Sequence, residues 1–325
     1  MLIALLLCSV GLAFLVFGAE LVVASGSRFA GRFNISPVVI GATIVALGTS
    51  APELAVGIDA VLSGNGNLAV GNIAGTNVVN ILLILGLSAS LVPLSLRSET
   101  LWLDLPMIVV ASLMFMFMVS DGELTRNDGI ILVLSSLAYT AAVIHSARRE
   151  SRLVKARFEN ELETVSPLTG YDGSPLRDLS ILAIGIAIIV TGADLLVRGA
   201  VDLARLWHVS ETFIGLTIIA IGTSSPELVT TVLSTLRNQR EIAIGNLLGS
   251  SVYNILAILG LTLAVPGRSV QVSEAMIMVD VPVMTAVALL CVPVFYSGRR
   301  VSRVEGVVFI VLYLTYLTYL IVMRT

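Results

Sequence analysis

GATIVALGTSAPE at residues 41–53 and GNIAGTNVVNI at 71–81 recur 174 residues further along the chain, as GLTIIAIGTSSPE at 215–227 and GNLLGSSVYNI at 245–255. Both pairs have the same offset, so the two copies stand in one register. Chance matches of apolar residues do not readily produce two Gly-Thr-Ser-x-Pro-Glu runs and two Gly-Asn-x-x-Gly runs. The sequence therefore contains an internal duplication.

The composition around these stretches is that of a membrane protein. Of the 325 residues, 56% are hydrophobic and 13% are charged, whereas about 25% of the residues in a soluble domain are charged. The mean hydropathy is +0.98. Apolar stretches of roughly 20 residues, the length of a helix that crosses a bilayer, recur along the chain. The net charge of −3 argues against a nucleic-acid partner.

The apolar stretches predict an all-α polytopic membrane protein with ten transmembrane helices. The predicted spans are roughly 2–24, 37–62, 67–92, 101–120, 128–146, 178–203, 211–236, 241–265, 275–297 and 303–323.

The basic residues predict how these spans are oriented in the cell membrane. Fourteen of the 19 Lys and Arg residues fall on one side of the predicted membrane and five on the other. The side that is richer in basic residues is normally cytoplasmic. Both termini are therefore expected outside the cytoplasm.

Each copy of the duplication holds five predicted spans. An odd number means that the second copy enters the membrane from the opposite face, and such inverted repeats are typical of secondary transporters. The predicted organisation is a first five-helix repeat (1–146), a cytoplasmic linker (147–177) and a second, inverted five-helix repeat (178–325).

The Gly-Thr-Ser-x-Pro-Glu run interrupts a predicted span in each repeat. Proline has no N–H, so the carbonyl of Gly48 loses its helical partner at Pro52, and that of Gly222 at Pro226. A bare carbonyl is costly in a membrane unless it is buried in protein or lines a wet cavity. It is also a hard oxygen ligand of the kind that calcium prefers. We therefore expect broken helices at the membrane midplane, beside a cation site.

Glu53 and Glu227 follow these breaks directly, each in the middle of a predicted span. An ionisable residue in that position indicates a functional site by default. An inverted repeat would bring the two carboxylates together, and the motif-bearing spans contain no Lys or Arg near the motifs to neutralise them. A divalent cation would neutralise both charges.

Neutral oxygen donors accompany the two acids. Thr76 and Asn80 are four residues apart on one predicted helix face, as are Ser250 and Asn254. The set contains no His or Cys, which indicates hard cations rather than zinc or copper. The Gly pairs spaced four apart in the same spans would let another helix approach closely. The remaining candidate donors are Thr49, Ser50, Thr223 and Ser224.

Acids elsewhere in the spans are interpreted as structural. Asp194 can pair with Arg198 one helical turn further on, whereas its counterpart in the first copy, Glu20, has no such partner.

At these motifs the chain resembles the sodium/calcium exchanger family, within the cation/calcium exchanger superfamily. The two Gly-Thr-Ser-x-Pro-Glu runs, each with its Gly-Asn-x-x-Gly run, look like the two alpha-repeats of that family. The ten-span layout extends the resemblance over essentially the whole chain, at the size of a compact prokaryotic member.

The resemblance implies four cation sites in a central cluster. Calcium would be bound by Glu53, Glu227 and the carbonyls of Thr49 and Thr223, with Asn80 and Asn254 completing the middle. One sodium site would use Ser50, Thr76 and the Ala46 carbonyl, and the other would use Ser224, Ser250 and the Ala220 carbonyl. The first and sixth spans would slide against the other helices to alternate access.

The resemblance also implies which molecules the protein meets. The transported ions would be Ca²⁺ and Na⁺, or H⁺ in place of Na⁺. No cofactor, enzymatic activity or obligate protein partner is expected, and the surroundings are the lipid bilayer. Asn254 departs from the Asp that many sodium/calcium exchangers carry, and Asn at this position is frequent in calcium/proton exchangers. The neutral hydroxyls beside the acids favour sodium.

Three functions thus remain open beside sodium-driven calcium antiport. Calcium/proton antiport would use the same glutamates. A cation channel would need an open pore, whereas a site with two carboxylates releases calcium slowly. An intramembrane hydrolase could use paired acids, but no Ser/His or metalloprotease motif accompanies them.

Overall fold

Helices make up nearly all of the structure, as the apolar stretches predicted. The computed structural model describes residues 1–33, 36–96, 100–159, 174–207, 220–265 and 269–324, with side chains at 147–159, 220 and 324 left out of the description. The helices are α1 (Leu2–Arg32), α2 (Pro37–Thr49), α3 (Ala51–Leu62), α4 (Gly66–Leu91), α5 (Thr100–Asp121), α6 (Arg126–Glu159), α7 (Pro175–Leu206), α8 (Ala220–Thr223), α9 (Ser225–Leu236), α10 (Arg240–Ala264), α11 (Met276–Tyr296) and α12 (Arg303–Arg324).

The helices confirm an all-α polytopic membrane protein. In the described part of the chain, eight helices are long and apolar enough to cross a membrane, or nine if α2 and α3, bent by 40° at their junction, form one span. These nine match nine of the ten predicted spans. The tenth, predicted at 211–236, begins outside the described residues and is seen from Ala220 onward as α8 and α9. Helix α6 continues past the predicted span end at 146 to Glu159.

Helices α1 and α7 form a close antiparallel pair. A Cβ atom at Gly11 would lie 2.7 Å from the Gly192 carbonyl oxygen, and one at Gly18 would lie 2.8 Å from the Gly185 carbonyl oxygen. Only glycine permits such an approach. Gly185 and Gly192 are also the repeat counterparts of Gly11 and Gly18, so equivalent helices of the two halves run in opposite directions, as an inverted repeat requires.

The apolar core has two parts. A small cluster lies between α1, α2 and α7, and it includes Leu15, Val45 and Ile189. A larger cluster joins α4, α5, α6, α10, α11 and α12. Helices α4 and α10 are its centre, because 72% and 89% of their most apolar windows are buried, against 28% for α1 and for α7. These two inner helices carry the Gly-Asn-x-x-Gly runs.

The glycine pair of α10 allows the close packing that was predicted for it. A Cβ at Gly249 would lie 2.6 Å from the Cα of Ala42 on α2. Gly245 packs equally closely on the backbone of Val38. For the equivalent pair on α4, a Cβ at Gly71 would lie 3.1 Å from the Met276 side chain, and one at Gly75 would meet no described atom within 4 Å.

Two short antiparallel ladders join the halves, a feature that the sequence did not predict. Strand β1 (Leu94–Ser95) pairs with β4 (Arg300–Val301), and β2 (Glu123–Leu124) pairs with β3 (Val270–Gln271). Strands of two residues are too short to produce an alternating pattern. Each ladder links a loop of the first half to a loop of the second.

Candidate functional site

Both Gly-Thr-Ser-x-Pro-Glu runs break a helix, as predicted, and each break lies at the serine. Ser50, between α2 and α3, has φ −83° and ψ 9°, and Ser224, between α8 and α9, has φ −83° and ψ 5°. A proline occupies the first turn of each following helix, where its missing N–H breaks no hydrogen bond. Each glutamate therefore enters its helix in the first turn.

The carbonyls of Gly48 and Gly222 are not bare, so this part of the prediction was wrong. The Gly48 oxygen accepts a hydrogen bond from a backbone N–H at the end of α2. The Gly222 oxygen accepts one from the Ser225 hydroxyl at 2.7 Å. The tight turn at the break supplies local donors that replace the missing proline N–H.

The two glycines instead make room for α7. A Cβ atom at Gly48 would lie 2.6 Å from the Ile186 side chain, and one at Gly222 would overlap the Val197 side chain. Ile186 and Val197 both belong to α7. One helix of the close antiparallel pair therefore packs directly against both breaks.

The structure brings together the two glutamates from opposite halves. Both Glu53 and Glu227 are 0% exposed, and they interact electrostatically. The Ser50 hydroxyl, from the first half, donates to Glu227 Oε1 at 3.2 Å. The hydroxyls of Thr49 and Ser250 also lie against the Glu227 carboxylate.

Several polar atoms of this cluster have no hydrogen-bond partner among the described residues. They are both carboxylate oxygens of Glu53, Oε2 of Glu227, and the side-chain amide atoms of Asn80 and Asn254. All four side chains are fully buried. Buried polar groups in proteins are nearly always paired, because an unpaired one costs about 1–3 kcal/mol. Unpaired oxygens concentrated around two carboxylates are what a cation site needs.

The other predicted ligands are also buried. Thr49, Ser50, Ser224 and Ser250 are 0% exposed, Thr76 is 3% exposed and Thr223 is 8% exposed. Ala46 begins the last α-helical turn of α2 before the break, and Ala220 is the first described residue of α8.

Ser250 contacts a predicted ligand of the other flanking site. Its hydroxyl donates to the Ala46 carbonyl at 3.4 Å, whereas the prediction placed Ser250 with Ser224 and the Ala220 carbonyl. The reason is the close crossing of α10 over α2, which brings a second-half side chain to a first-half carbonyl.

Two asparagines beside the site were missed by the sequence analysis. Asn246 bridges two hydroxyls, accepting from Thr49 Oγ1 and donating to Thr231 Oγ1, both at 3.3 Å. Its repeat counterpart Asn72 donates to the backbone carbonyl of Glu53 at 3.2 Å. The signal was present in the sequence, because both are the Asn of a Gly-Asn-x-x-Gly run.

Asp194 and its repeat counterpart Glu20 both have an arginine partner. Asp194 accepts from Arg198 at 2.9 Å, as predicted. Glu20, for which no partner one turn away was found in the sequence, pairs at 2.8 Å with Arg237 at the end of α9.

Three further acids are buried: Asp178, which pairs with Arg28 and Arg32, and the repeat equivalents Asp104 and Asp280, which have equivalent partners. The Tyr139 hydroxyl donates to Asp104 at 2.9 Å, and the Tyr316 hydroxyl donates to Asp280 at 3.0 Å. Each tyrosine–aspartate pair joins a helix of one half to the last helix of the same half.

The donor set of the central cluster consists of oxygen atoms. It has two carboxylates, several hydroxyls, two amides and the Ala46 carbonyl. In the part of the chain that the structure describes, no three His, Cys, Asp or Glu side chains lie together. Oxygen donors with two negative charges suit hard cations such as calcium and sodium.

Comparison with known proteins identifies the family. The sodium/calcium exchanger protein family matches residues 3–145 and 178–322. A putative antiporter of Alkalimonas amylolytica, CaxA, is 35% identical over 310 residues, which cover 94% of this chain and 95% of that protein. The sodium/calcium exchanger MaX1 of Methanosarcina acetivorans is 31% identical over 332 residues, covering 93% and 94%.

The solved structures agree with the sequence comparison. The sodium-calcium exchanger NCX_Mj has a TM-score of 0.82 to this chain at 26% identity, and the match covers 98% of both chains. The family match includes both halves of the duplication and both broken helices. This polytopic membrane protein therefore belongs to the sodium/calcium exchanger family.

Proposed function

We propose that this protein exchanges calcium for sodium across the cell membrane by alternating access. The family and the match to a solved exchanger make it a cation/calcium antiporter, and sodium as the counter-ion is our proposal. The observation that carries it is the buried pair Glu53 and Glu227, with their unpaired oxygens and the hydroxyls around them.

The charge of the pair supports calcium as one of the transported ions. Two carboxylates that are 0% exposed repel each other in surroundings of low dielectric constant, and a buried charge is costly unless it is paired. One calcium ion would bring the formal charge of the site to zero. A monovalent ion alone would leave one negative charge unbalanced.

The ligand set follows from the geometry and from the family resemblance. Calcium would be bound by Glu53 and Glu227 with the carbonyls of Thr49 and Thr223, beside Asn80 and Asn254. One flanking sodium site would use Ser50, Ser250 and the Ala46 carbonyl, which the Ser250 hydroxyl reaches at 3.4 Å. Thr76 would join this first site, as the resemblance implies, and the other flanking site would use Ser224 and the Ala220 carbonyl.

Alternating access would come from the α1–α7 pair. Their glycine contacts make the two helices one packed unit, and α7 lies directly against both helix breaks. A shift of this unit along the other helices would open the site to one side of the membrane and close it to the other.

The same glutamates could instead exchange calcium for protons. A proton needs only the carboxylates, whereas Ser50 and Ser250 supply neutral oxygens of the kind that a sodium ion requires. The Ser50 hydroxyl donates to Glu227, and the Ser250 hydroxyl lies against the same carboxylate. They favour sodium.

The counter-ion can be tested in proteoliposomes that contain the purified protein. With sodium inside and none outside, calcium should accumulate, because sodium leaving the vesicle drives calcium in. A pH gradient without sodium should give no accumulation above protein-free vesicles. Calcium uptake that follows the pH gradient and ignores sodium would establish proton coupling instead.

The orientation of the chain is part of the proposal. We propose that both termini lie outside the cytoplasm and that the linker at 147–177 lies inside. Once Cys8 and Cys291 have been replaced, a cysteine introduced at Ser166 should resist an impermeant thiol reagent added to intact cells, and it should react after the cells are permeabilised. Rapid labelling in intact cells would invert the orientation.

A further inference from the structure

Asn246 lies outside the proposed ligand set, yet it is fully enclosed beside it. The side chain is 0% exposed. It bonds to Thr49 Oγ1 and to Thr231 Oγ1, both at 3.3 Å. Because a hydroxyl can donate or accept, both hydrogen bonds persist if the amide is reversed. Asn246 therefore joins the end of α2 in the first half to α9 in the second.

Helix α10, which carries this side chain, is held rigidly by its packing. It is the most buried of the spanning helices in the described part of the chain, and its glycines bring its backbone into contact with α2. A Cβ atom at Gly249 would lie 2.6 Å from the Cα of Ala42, and Asn246 is one turn from Gly249. A residue at this position of α10 has little freedom to move relative to α2.

Thr49 is the residue that this contact fixes. It comes directly before the helix break at Ser50, and the Ser50 hydroxyl donates to Glu227 at 3.2 Å. Fixing the Thr49 side chain therefore sets the position of two proposed ligands, the Thr49 carbonyl and the Ser50 hydroxyl. The Ser50 hydroxyl is also the one that donates to Glu227.

The equivalent asparagine of the first half has no such bridge. Asn72 is only half-buried, and its amide donates to the Glu53 backbone carbonyl. The repeat counterpart of Thr231 is Gly57, which offers no hydroxyl. A Cβ atom at Gly57 would lie 2.6 Å from Thr262 Oγ1, so a larger side chain does not fit there.

We propose that Asn246 is a positioning residue that, with Thr231, holds Thr49 in the cation site, and that Asn72 holds the opposite end of the site less firmly. The proposal rests on the proposed function, because it takes calcium as the ligand of that site. It makes the two ends of a duplicated site unequal: the end at Thr49 is fixed by a bridge between the halves.

The test measures calcium binding and calcium exchange separately. Asn246→Ala should raise the calcium concentration for half-maximal exchange about tenfold, since one lost buried hydrogen-bond pair has an effect of that order. The maximal rate should change much less. The rise in melting temperature that calcium causes in the purified protein should shrink, which a merely structural role would not produce.

Four variants complete the comparison. Thr231→Val should also raise the calcium concentration for half-maximal exchange, but by less than Asn246→Ala. Thr231→Ser should behave like the wild type, because serine keeps the hydroxyl. Asn72→Ala should have a smaller effect than Asn246→Ala. Asn77→Ala is the matched control: it removes a buried amide whose one hydrogen-bond partner among the described residues is the carbonyl of Ile73 on its own helix, and it should leave the half-maximal concentration unchanged.

The outcomes separate this proposal from the proposed function. If Asn246→Ala and Thr231→Val lower the melting temperature but leave calcium affinity unchanged, Asn246 only fills space and the proposal is overturned. Equal effects of Asn72→Ala and Asn246→Ala would overturn the inequality of the two ends. If Asn246→Ala does not fold, the two Thr231 variants decide. A wild-type protein that binds no calcium would refute the proposed function itself.

Discussion

Replacing Glu53 or Glu227 by glutamine is expected to abolish calcium exchange while the protein remains folded. Glutamine keeps the shape of glutamate but removes its charge, so a bound calcium ion would leave one uncompensated positive charge in a buried site. Breaking a buried charge pair costs about 3–5 kcal/mol, which corresponds to a loss of affinity of more than about 100-fold. The measurement is calcium uptake into sodium-loaded proteoliposomes, with folding checked by gel filtration.

The control for this prediction is a second acid with the same charge change. Asp194→Asn removes a carboxylate whose side chain is 53% exposed and whose partner, Arg198, is on the same helix. Exposed ion pairs of this kind contribute about 0–1 kcal/mol to the stability of a protein. Calcium uptake by Asp194→Asn should therefore remain near that of the wild type. Undiminished uptake by a well-folded Glu53→Gln or Glu227→Gln protein would contradict the site.

The two glutamate variants should differ in the absence of calcium. Glu227 accepts a hydrogen bond from Ser50, whereas both oxygens of Glu53 lack a partner among the described residues. Glu53→Gln removes the less well-stabilised charge and relieves the repulsion between the two acids. We therefore expect it to raise the melting temperature of the calcium-free protein more than Glu227→Gln does.

The sequence predicted the parts of this structure that depend on local chemistry. The glycine and proline of each Gly-Thr-Ser-x-Pro-Glu run predicted a helix break within that run, and the length of the apolar stretches predicted the nine spans seen in the described residues. The duplication then indicated that Glu53 and Glu227 would meet. Each of these inferences needs only neighbouring residues or a repeated pattern.

The features that the sequence missed depend on how distant segments cross. Ser250 meets the Ala46 carbonyl because α10 packs tightly over α2, and the alignment of the repeats pairs neither residue with the other. Arg237 meets Glu20 across 217 positions. Even the local prediction that the Gly222 carbonyl would be bare failed, because the Ser225 hydroxyl three residues ahead turned back to it.

A second large effect is expected from the membrane potential. Glu53 and Glu227 are the two ionisable side chains of the proposed site, since Asn80 and Asn254 are neutral. The site would have a formal charge of zero with calcium and +1 with three sodium ions. Each exchange of three sodium ions for one calcium ion would then move one net charge across the membrane.

That charge makes the direction of transport depend on voltage. One elementary charge moving through 100 mV corresponds to about 2.3 kcal/mol, or a change of roughly 50-fold in the calcium ratio at equilibrium. In sodium-loaded proteoliposomes the net positive charge leaves with sodium, so an inside-positive potential should increase calcium uptake and an inside-negative potential should reduce it. A potassium gradient with valinomycin sets the potential. Exchange of two sodium ions or two protons for one calcium ion would be electroneutral, so uptake that does not change with the potential would exclude the three-sodium stoichiometry.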